Sequence, residues 1–144
     1  MSDVIVEDHL HPDYPLPDVD DPVMRPFWDG ARGGKLMAQR DRVTGEIHWP
    51  PKPLYWKDGR RLEWFAASGK GTVFTYVVGH EPFLPAFRHL LPHIMVVVAL
   101  AEGSRIVGHM VRCAPDEMSI GMPVRVVFKR LTDRVTLPVW EPDR

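Results

Sequence analysis

Four positions between residues 41 and 58 have the spacing of a zinc site but lack its ligands. Asp41 and Thr44 are separated by two residues, as are Tyr55 and Asp58, and a glycine follows each pair. Cysteines at these positions would give two C-x-x-C-G turns, the spacing with which four thiolates surround a structural zinc ion. The oxygen groups present here suit zinc less well than thiolate or imidazole. The sequence therefore predicts no bound metal, although the two glycines still supply the tight turns.

The histidines form no convincing metal site either. His89 and His93 have the i, i+4 spacing that would place both rings on one face of a helix, but Pro92 between them disfavours a continuous helix. His109 and Cys113 have the same spacing, yet they fall in or near a predicted strand, where residues four apart lie roughly 13 Å from each other. These residues are not expected to share an ion.

A catalytic nucleophile is equally hard to find. Arg112 beside Cys113 is the kind of neighbour that lowers a thiol pKa, but a lone cysteine at the end of a strand is more often a small core residue. The chain has no G-x-S-x-G turn, no P-loop and no dinucleotide fingerprint. No catalytic residue is predicted.

Composition sets further limits on function. The chain has 144 residues, of which 44% are hydrophobic, and a formal net charge of −1, which gives no global electrostatic argument for nucleic-acid binding. A single cysteine excludes an intramolecular disulfide and fits a reducing compartment. The N-terminal stretch does not have the pattern of a signal peptide, and the longest apolar run, 94–101, is too short to span a bilayer. We expect a cytoplasmic protein without a membrane segment.

The first 61 residues divide into three parts. Residues 1–22 form an acidic, proline-rich arm that is either a disordered tail or a strap that orders against a partner. Residues 23–38 predict a short helix, in which Phe27 and Trp28 dock either on their own domain or on a partner. Residues 39–61 contain the former metal-binding turns. Aromatic residues supply apolar packing there, and we expect the segment to rest on the neighbouring domain or on a partner protein.

From residue 62 onward the pattern is that of short strands. The predicted strands end in glycine-rich turns and have no intervening helices, which is typical of a small antiparallel barrel of five or six strands. They are 62–67, 72–78, 94–100, 105–111, 124–128 and 135–137. The Gly69-Lys70-Gly71 step predicts a bulge or sharp bend at the start of the longest strand. Such a bend suits an OB-fold, so we predict a mainly β chain with an OB-fold barrel at 62–144, preceded by a helix and a metal-free zinc-ribbon remnant at 23–61.

An ordered set of short motifs runs through residues 24 to 142. The motifs are Phe27-Trp28-Asp29-Gly30, a ribbon frame with a Pro-Pro pair, Leu62-Glu63-Trp64, Ser68-Gly69-Lys70-Gly71-Thr72-Val73, Phe87, Leu91-Pro92-His93, the strand Val96–Leu100, Glu102-Gly103, Gly121-Met122-Pro123-Val124 and Leu137-Pro138. In this order they resemble the acyl-CoA-associated proteins of the domain-of-unknown-function-35 family, which combine a rubredoxin-like zinc ribbon with an OB-fold. The chain departs from that family at all four ribbon cysteines.

The resemblance implies a non-catalytic accessory subunit that works with a thiolase-like enzyme in acyl-CoA and lipid metabolism. It implies a hetero-oligomer, with a homodimer as an alternative, and no bound cofactor other than acyl-CoA as a ligand. The residues expected to dock on the partner are aromatic: Phe27, Trp28, Trp49, Tyr55 and Trp56. The residues expected to face the ligand lie in the apolar loop 81–93 and among nearby basic positions: Lys70, Phe83, Phe87, Arg88, His93 and Lys129.

Two alternatives remain open from the sequence. OB-folds often bind oligonucleotides, and Phe74, Tyr76 and Phe128 have the character of base-stacking residues with basic neighbours, or else they form the barrel core. The same basic residues would also bind the phosphates of CoA. The second alternative is an enzyme that acts on acyl-CoA thioesters, such as a hydratase or a thioesterase-like protein.

Overall fold

The computed structural model describes residues 4–54 and 61–144, which form one helix and nine strands within those ranges. In chain order they are β1 (Val4–Val6), α1 (Arg25–Arg32), β2 (Met37–Asp41), β3 (Ile47–His48), β4 (Leu62–Ala66), β5 (Lys70–Gly79), β6 (His93–Leu100), β7 (Arg105–His109), β8 (Pro123–Arg130) and β9 (Thr136–Pro142). Two short 3-10 helices, Pro85–Leu90 and Pro115–Glu117, lie in the connections. No helix within the described ranges is long and apolar enough to cross a bilayer.

The larger sheet has the strand order of an OB-fold. β5 pairs with β6 on one side and β8 on the other, β6 pairs with β7, and β8 pairs with β9, all antiparallel. The sheet stays open between β7 and β9 except for one parallel bridge, where Met110 meets Trp140. The predicted small, mainly β, OB-type fold is confirmed.

The core of the larger sheet comes from the residues that alternate inward along its strands. Val96 and Val98 of β6, Val73 of β5 and Val124 of β8 are almost completely buried, as the two-residue period of a strand requires. Trp140 of β9 is 0% exposed and lies beneath the point where the sheet fails to close. Gly108 is needed beside it, because a Cβ there would lie 2.9 Å from the Trp140 ring.

The strand boundaries differ from the predicted ones mainly at β5 and β9. Gly69 does make the predicted bend, with a φ of 77°, but the register shift itself lies between Val73 and Thr75 and leaves Phe74 as the extra residue. β9 is longer than predicted and contains Pro138. A proline is tolerated there because β9 has a paired strand on one side only, apart from the Met110 bridge.

The predicted helix is real but shorter. α1 starts with Pro26 in its first turn and stops at Arg32, and the next two residues are glycines. Gly34 has a φ of 75°, which turns the chain out of the helix and into β2. Residues 37 and 38, predicted as helix, are therefore the beginning of a strand.

A smaller sheet has the strand order β3-β2-β4, and two of its strands, β2 and β3, lie in or next to the segment predicted as a ribbon remnant. β4 was expected among the barrel strands, but it pairs with β2 over five residues from Met37↔Ala66 to Asp41↔Leu62. Strand propensity identified β4 but could not choose its partner. The partner of β4 is β2, and the first two residues of β2 had been predicted as helix.

The N-terminal arm is ordered against its own domain. β1 runs parallel to the second half of β8, from Val4↔Phe128 to Val6↔Arg130, whereas β5 occupies the same side of β8 only along its first half. β1 therefore continues the pairing of β8 after β5 bends away. Glu7 extends this attachment, since its N–H donates to the Arg130 carbonyl and its carboxylate lies 3.4 Å from Lys129 Nζ. The arm is thus ordered against this chain, whereas the sequence predicted either a disordered tail or a strap that orders against a partner.

Candidate functional site

The turn after β2, which contains the first pair of positions with zinc-site spacing, is compact. The Asp41 carboxylate accepts hydrogen bonds from the N–H groups of Val43 (2.8 Å) and Thr44 (3.1 Å), and Arg61 Nη2 lies 2.9 Å from its other oxygen. Gly45, with a φ of 76°, donates its N–H to the Asp41 carbonyl. At this predicted former ligand position, Asp41 thus accepts two N–H groups and pairs with a guanidinium.

The charge of Asp41 is stabilised by these contacts. Burial by itself would raise the pKa of its carboxyl, but the N–H groups of Thr44 and Val43 and the charge of Arg61 outweigh burial and hold that pKa below its usual range. Within the described ranges, no three His, Cys, Asp or Glu side chains come together as a metal site would require. Tyr55 and Asp58, the second pair of former ligand positions, lie outside the described residues.

Gln39 fixes the proline-rich connection that follows β3. Its side chain is fully buried, its amide NH₂ donates to the Lys52 carbonyl at 2.7 Å, and its carbonyl accepts the Lys52 N–H at 2.7 Å. A buried glutamine with both ends satisfied acts as a backbone-like link between two segments. Sequence reasoning missed it, because a single polar residue in a strand gives no signal of its long-range partner.

An apolar groove of about 300 Å³ lies where α1, β7 and β9 meet. We call it the aromatic groove, and its walls are Met24, Phe27, Trp28, Trp49, Ile106, Val107, Gly108, His109, Leu137, Pro138 and Trp140. The Phe27 ring packs edge-on against Trp28 at 4.9 Å and tilted against Trp49 at 5.0 Å between centroids. Val107 at its rim is 72% exposed.

The structure brings three of the predicted docking residues together in this groove, but not in equal roles. Trp28 and Trp49 are partly buried and accessible from the groove. Phe27 is only 5% exposed and belongs to the core, so it supports the two tryptophans instead of offering its own surface. Tyr55 and Trp56 lie outside the described residues.

A second pocket, of about 400 Å³, is formed by the loop between β5 and β6. We call it the Phe87 pocket; it is lined by Gly79, Glu81, Pro82, Phe83, Phe87, Leu91, His93 and Met95. Phe83 at its rim is 92% exposed. The Phe87 ring packs edge-on against the Tyr14 ring of the arm, with 5.3 Å between ring centroids. The centroid of the His93 ring lies 6.4 Å from that of Phe87.

The six residues predicted to face a ligand are divided among four places. Phe83, Phe87 and His93 line the Phe87 pocket together. Arg88 lines a separate cleft between the 3-10 helix and arm residues 9–12. Lys129 is buried against Glu7, and Lys70 lies at the opposite end of β5, where its Nζ contacts Asp143 at 2.9 Å. Sequence alone did not predict the positions of the two lysines, because both belong to strands: Lys70 lies at the far end of β5, whereas Lys129 lies near His93.

His93 and His109 form a pair that the search for i, i+4 spacing did not reveal. Met95 of β6 pairs with His109 of β7, and His93 lies two residues before Met95 on the same face of the sheet. The two imidazole centroids are 5.2 Å apart at an interplanar angle of 69°. The predicted turn at 101–104 sets this register. The proximity of His93 and His109 could therefore have been predicted from the hairpin, but not from the spacing of neighbouring residues.

Both imidazoles are kept neutral by their surroundings. Burial lowers the pKa of His109 to about 4, and the neighbouring His93 and Lys129 act in the same direction. Burial, Lys129 and His89 likewise lower the pKa of His93. The Nε2 atoms of both rings are buried and have no hydrogen-bond partner among the residues that the structure describes.

Cys113 is not an activated thiol. Burial, and then the charge of Glu117, raise the pKa of the Cys113 thiol, and Arg144 offsets this only in part. Arg112, predicted as a neighbour that could activate it, reaches Glu141 Oε2 at 3.0 Å instead. The Cys113 Sγ lies 3.5 Å from the Met118 Sδ, as a small core residue would.

Comparisons with known proteins agree with this geometry. The family model for the ChsH2 C-terminal OB-fold domain matches residues 64–129. The chain is 37% identical, over 89% of its length, to the 3-oxo-4,17-pregnadiene-20-carboxyl-CoA hydratase alpha subunit of Mycobacterium tuberculosis, and spans 43% of that protein. It is 35% identical, over 68% of its length, to a DUF35 domain-containing scaffold protein of Methanocaldococcus jannaschii, of which it covers 70%. Among solved structures, a chain of the Ltp2-ChsH2(DUF35) aldolase superposes with a TM-score of 0.76 at 31% identity, over 88% of this chain and 98% of that one.

The chain belongs to the DUF35 family, and its structure contains an OB-type sheet and a smaller three-stranded sheet. The match to the scaffold protein carries this assignment, because the chain covers more than two thirds of that relative. Since the chain spans less than half of the hydratase alpha subunit, the activity of that whole protein does not extend to it automatically.

Proposed function

We propose that this protein is a non-catalytic accessory subunit of a thiolase-like enzyme that acts on acyl-CoA substrates. The observation that carries the proposal is the match over 98% of a chain from the Ltp2-ChsH2(DUF35) aldolase, in which a DUF35 chain is named together with a second protein. The scaffold names of the archaeal relatives point in the same direction.

In this proposal the aromatic groove docks on the enzyme. Trp28, Trp49 and Val107 give it the aromatic and apolar surface that protein interfaces favour at their centre. The groove is assembled from α1, β7 and β9, so the partner would contact a rigid part of the fold. The Phe87 pocket, on the outer face of β6, would then face the acyl part of the substrate.

The described geometry gives less support to nucleic-acid binding. Of the three predicted stacking residues, Phe128 is buried in the core and Tyr76 packs partly against it. Phe74 is exposed, but its ring is already covered by the Arg105 guanidinium at 3.7 Å. We therefore do not propose a nucleic-acid ligand.

The experiment that tests the function is co-expression with the thiolase-like protein encoded nearest to it, followed by native mass spectrometry. We expect a stable hetero-complex that Trp28→Ala weakens at least tenfold, as truncation of an aromatic hot spot does. Ile120→Ala removes an exposed side chain outside the groove and should leave the complex unchanged. A wild-type chain that stays free of the enzyme at micromolar concentration would contradict the proposal.

A further inference from the structure

The outer surface of β5, β6 and β7 is apolar at positions where a solvated sheet is normally polar. The residues of β6 that point away from the core are paired across the sheet with outward residues of β5 and β7. An antiparallel sheet with one face in water usually alternates apolar residues inside with polar residues outside. Here the outward positions include five apolar residues, which we call the apolar face: Phe74, Val77, Met95, Val97 and Val107.

The residues of the apolar face form one connected patch. Val77 is paired with Met95, so the two side chains lie next to each other on β5 and β6, and they are 54% and 44% exposed. Val97 is paired with Val107 in the same way on β6 and β7. The exposed Phe83 extends the patch from the loop at one end. A contiguous apolar patch on a folded protein marks a surface that another protein covers.

The two ends of the apolar face carry opposite charges. Arg105 is paired with Ala99 at one end of β6, and its guanidinium lies over the Phe74 ring at 3.7 Å. Glu81 follows β5 at the opposite end, where it lines the Phe87 pocket beside His93. Neither Arg105 nor Glu81 has an ion-pair partner among the residues that the structure describes.

A second copy of this chain would satisfy both the apolar face and its charged ends. Two-fold symmetry places the same patch on both sides of an interface, so an apolar face meets an apolar face. When the two β6 strands run antiparallel across that interface, Arg105 of each copy lies opposite Glu81 of the other. A partner surface that is wholly apolar would instead leave both charges unpaired at the edge of a dry contact.

We propose that two copies of this chain associate through the apolar face, with their β6 strands antiparallel and with Arg105 of each copy paired with Glu81 of the other. β6 has eight residues. Three strands of this length give a face of roughly 15 by 25 Å. That area is smaller than the contribution of about 800 Å² per partner that is typical of a stable complex. We therefore expect a weak dimer with a Kd of about 10–100 µM.

The dimer does not depend on the proposed function, but the two share residues. Val107 also belongs to the rim of the aromatic groove, and Met95 also lines the Phe87 pocket. A second copy therefore covers part of the surface that the enzyme is proposed to contact. The dimer is then the form of the chain that is free of enzyme, and enzyme binding replaces the second copy.

Sedimentation velocity of the isolated wild-type chain tests the association. We expect the average mass to rise from that of one chain towards that of two between about 5 and about 500 µM. Met95→Glu places a charge within the apolar face and should weaken the dimer at least tenfold. Val43→Glu, at a 77% exposed position of the turn between β2 and β3, is the matched control and should leave the dimer unchanged. Circular dichroism verifies that each variant is folded.

Exchanging the two end charges tests the arrangement of the dimer. Arg105→Glu and Glu81→Arg should each weaken it about fivefold, because two-fold symmetry turns two attractions into two repulsions. The variant that carries both substitutions should return to within about twofold of the wild-type affinity. A loss of folding could not produce this recovery.

The outcomes separate this dimer from the proposed function. A wild-type chain that is still monomeric at about 500 µM overturns the dimer. A double variant that associates no better than the single variants overturns the antiparallel arrangement. If the chain is monomeric and Met95→Glu weakens the enzyme complex, the apolar face belongs to the enzyme, and the accessory role stands without the dimer. A chain that dimerises as expected but forms no enzyme complex supports the dimer and contradicts the accessory role.

Discussion

The two sheets of this molecule are organised by different forces. The larger sheet encloses an apolar core of valines and Trp140, whereas the buried residues at the centre of the smaller sheet include Gln39 and Asp41, both engaged by polar contacts. The larger sheet is thus stabilised mainly by the hydrophobic effect, whereas directed hydrogen bonds and ion pairs, among them Arg61–Asp41 and Arg40–Glu63, contribute more to the smaller one. The comparison shows that polar side chains order the turns of the smaller sheet, whereas the larger sheet contains most of the apolar core.

Removing the largest buried side chain should produce the greatest loss. Trp140→Ala leaves a cavity beneath the bridge between Met110 and β9, and we expect it to lower the free energy of unfolding by about 3–5 kcal/mol. Urea denaturation followed by circular dichroism measures the change. Val43→Ala, at a 77% exposed position of the smaller sheet region, should stay within about 0.5 kcal/mol of the wild type. Similar losses for the two variants would contradict a core centred on Trp140.

Acid should weaken the larger sheet through its histidine pair. The His109 imidazole takes up a proton near pH 6.5 in the unfolded chain but only near pH 4 in the folded chain, so the unfolded state binds more protons between these values. Stability therefore falls as the pH falls, by about 2 kcal/mol at pH 5 and about 3 kcal/mol at pH 4 from this residue. His93, whose pKa is also lowered, adds to the loss, and the charge of Lys129 contributes to both shifts.

Urea midpoints measured from pH 7.5 to pH 4.5 test this pH dependence. His109→Phe should flatten the curve over this range, while His80→Gln, at an exposed position, should leave it as steep as in the wild type. The prediction is wrong if the His109→Phe curve follows that of the wild type.

A polar substitution should affect the smaller sheet alone. Gln39→Leu keeps the volume but leaves the N–H and C=O of Lys52 without their partner, which costs about 1–3 kcal/mol. Hydrogen exchange should speed up first at Lys52 and in β2, while amides of β6 stay protected. Uniform acceleration across both sheets would show that they unfold as a single unit and that the two regions are not independent.

The smallest expected effect is that of metal removal. We expect EDTA to leave the melting temperature unchanged and elemental analysis to find no stoichiometric zinc, because Asp41 is engaged by Arg61 and by two N–H groups. A melting temperature that falls with EDTA and recovers with Zn²⁺ would show that the smaller sheet depends on metal after all.

The sequence predicted much of the larger sheet because its strands carry strong local signals. β-branched residues in β5 and β6, the turn after Leu100 and the bend at Gly69 indicated an OB-type fold before any pairing was known. Local sequence pattern does not predict a strand whose pairing partner is distant in the sequence. β1 is three residues of an acidic arm, and it becomes a strand only because the second half of β8 is free to pair with it.

The candidate site was predicted in part for the same reason. Phe83, Phe87 and His93 belong to one apolar loop, so they were found together, whereas His109 comes from the returning strand of a hairpin and requires its register. Lys70 and Lys129 were grouped with them by charge alone. The strands separate Lys70 from the pocket by the length of β5, and Lys129 is bound to the arm by Glu7.

The position of β1 has a consequence for handling the protein. Without the arm, the second half of β8 would present unpaired N–H and C=O groups to solvent along one side. Such edges add strands from other molecules and lead to aggregation. The arm therefore protects this edge from intermolecular pairing. A chain that lacks residues 1–6 should precipitate at concentrations at which the full chain stays in solution.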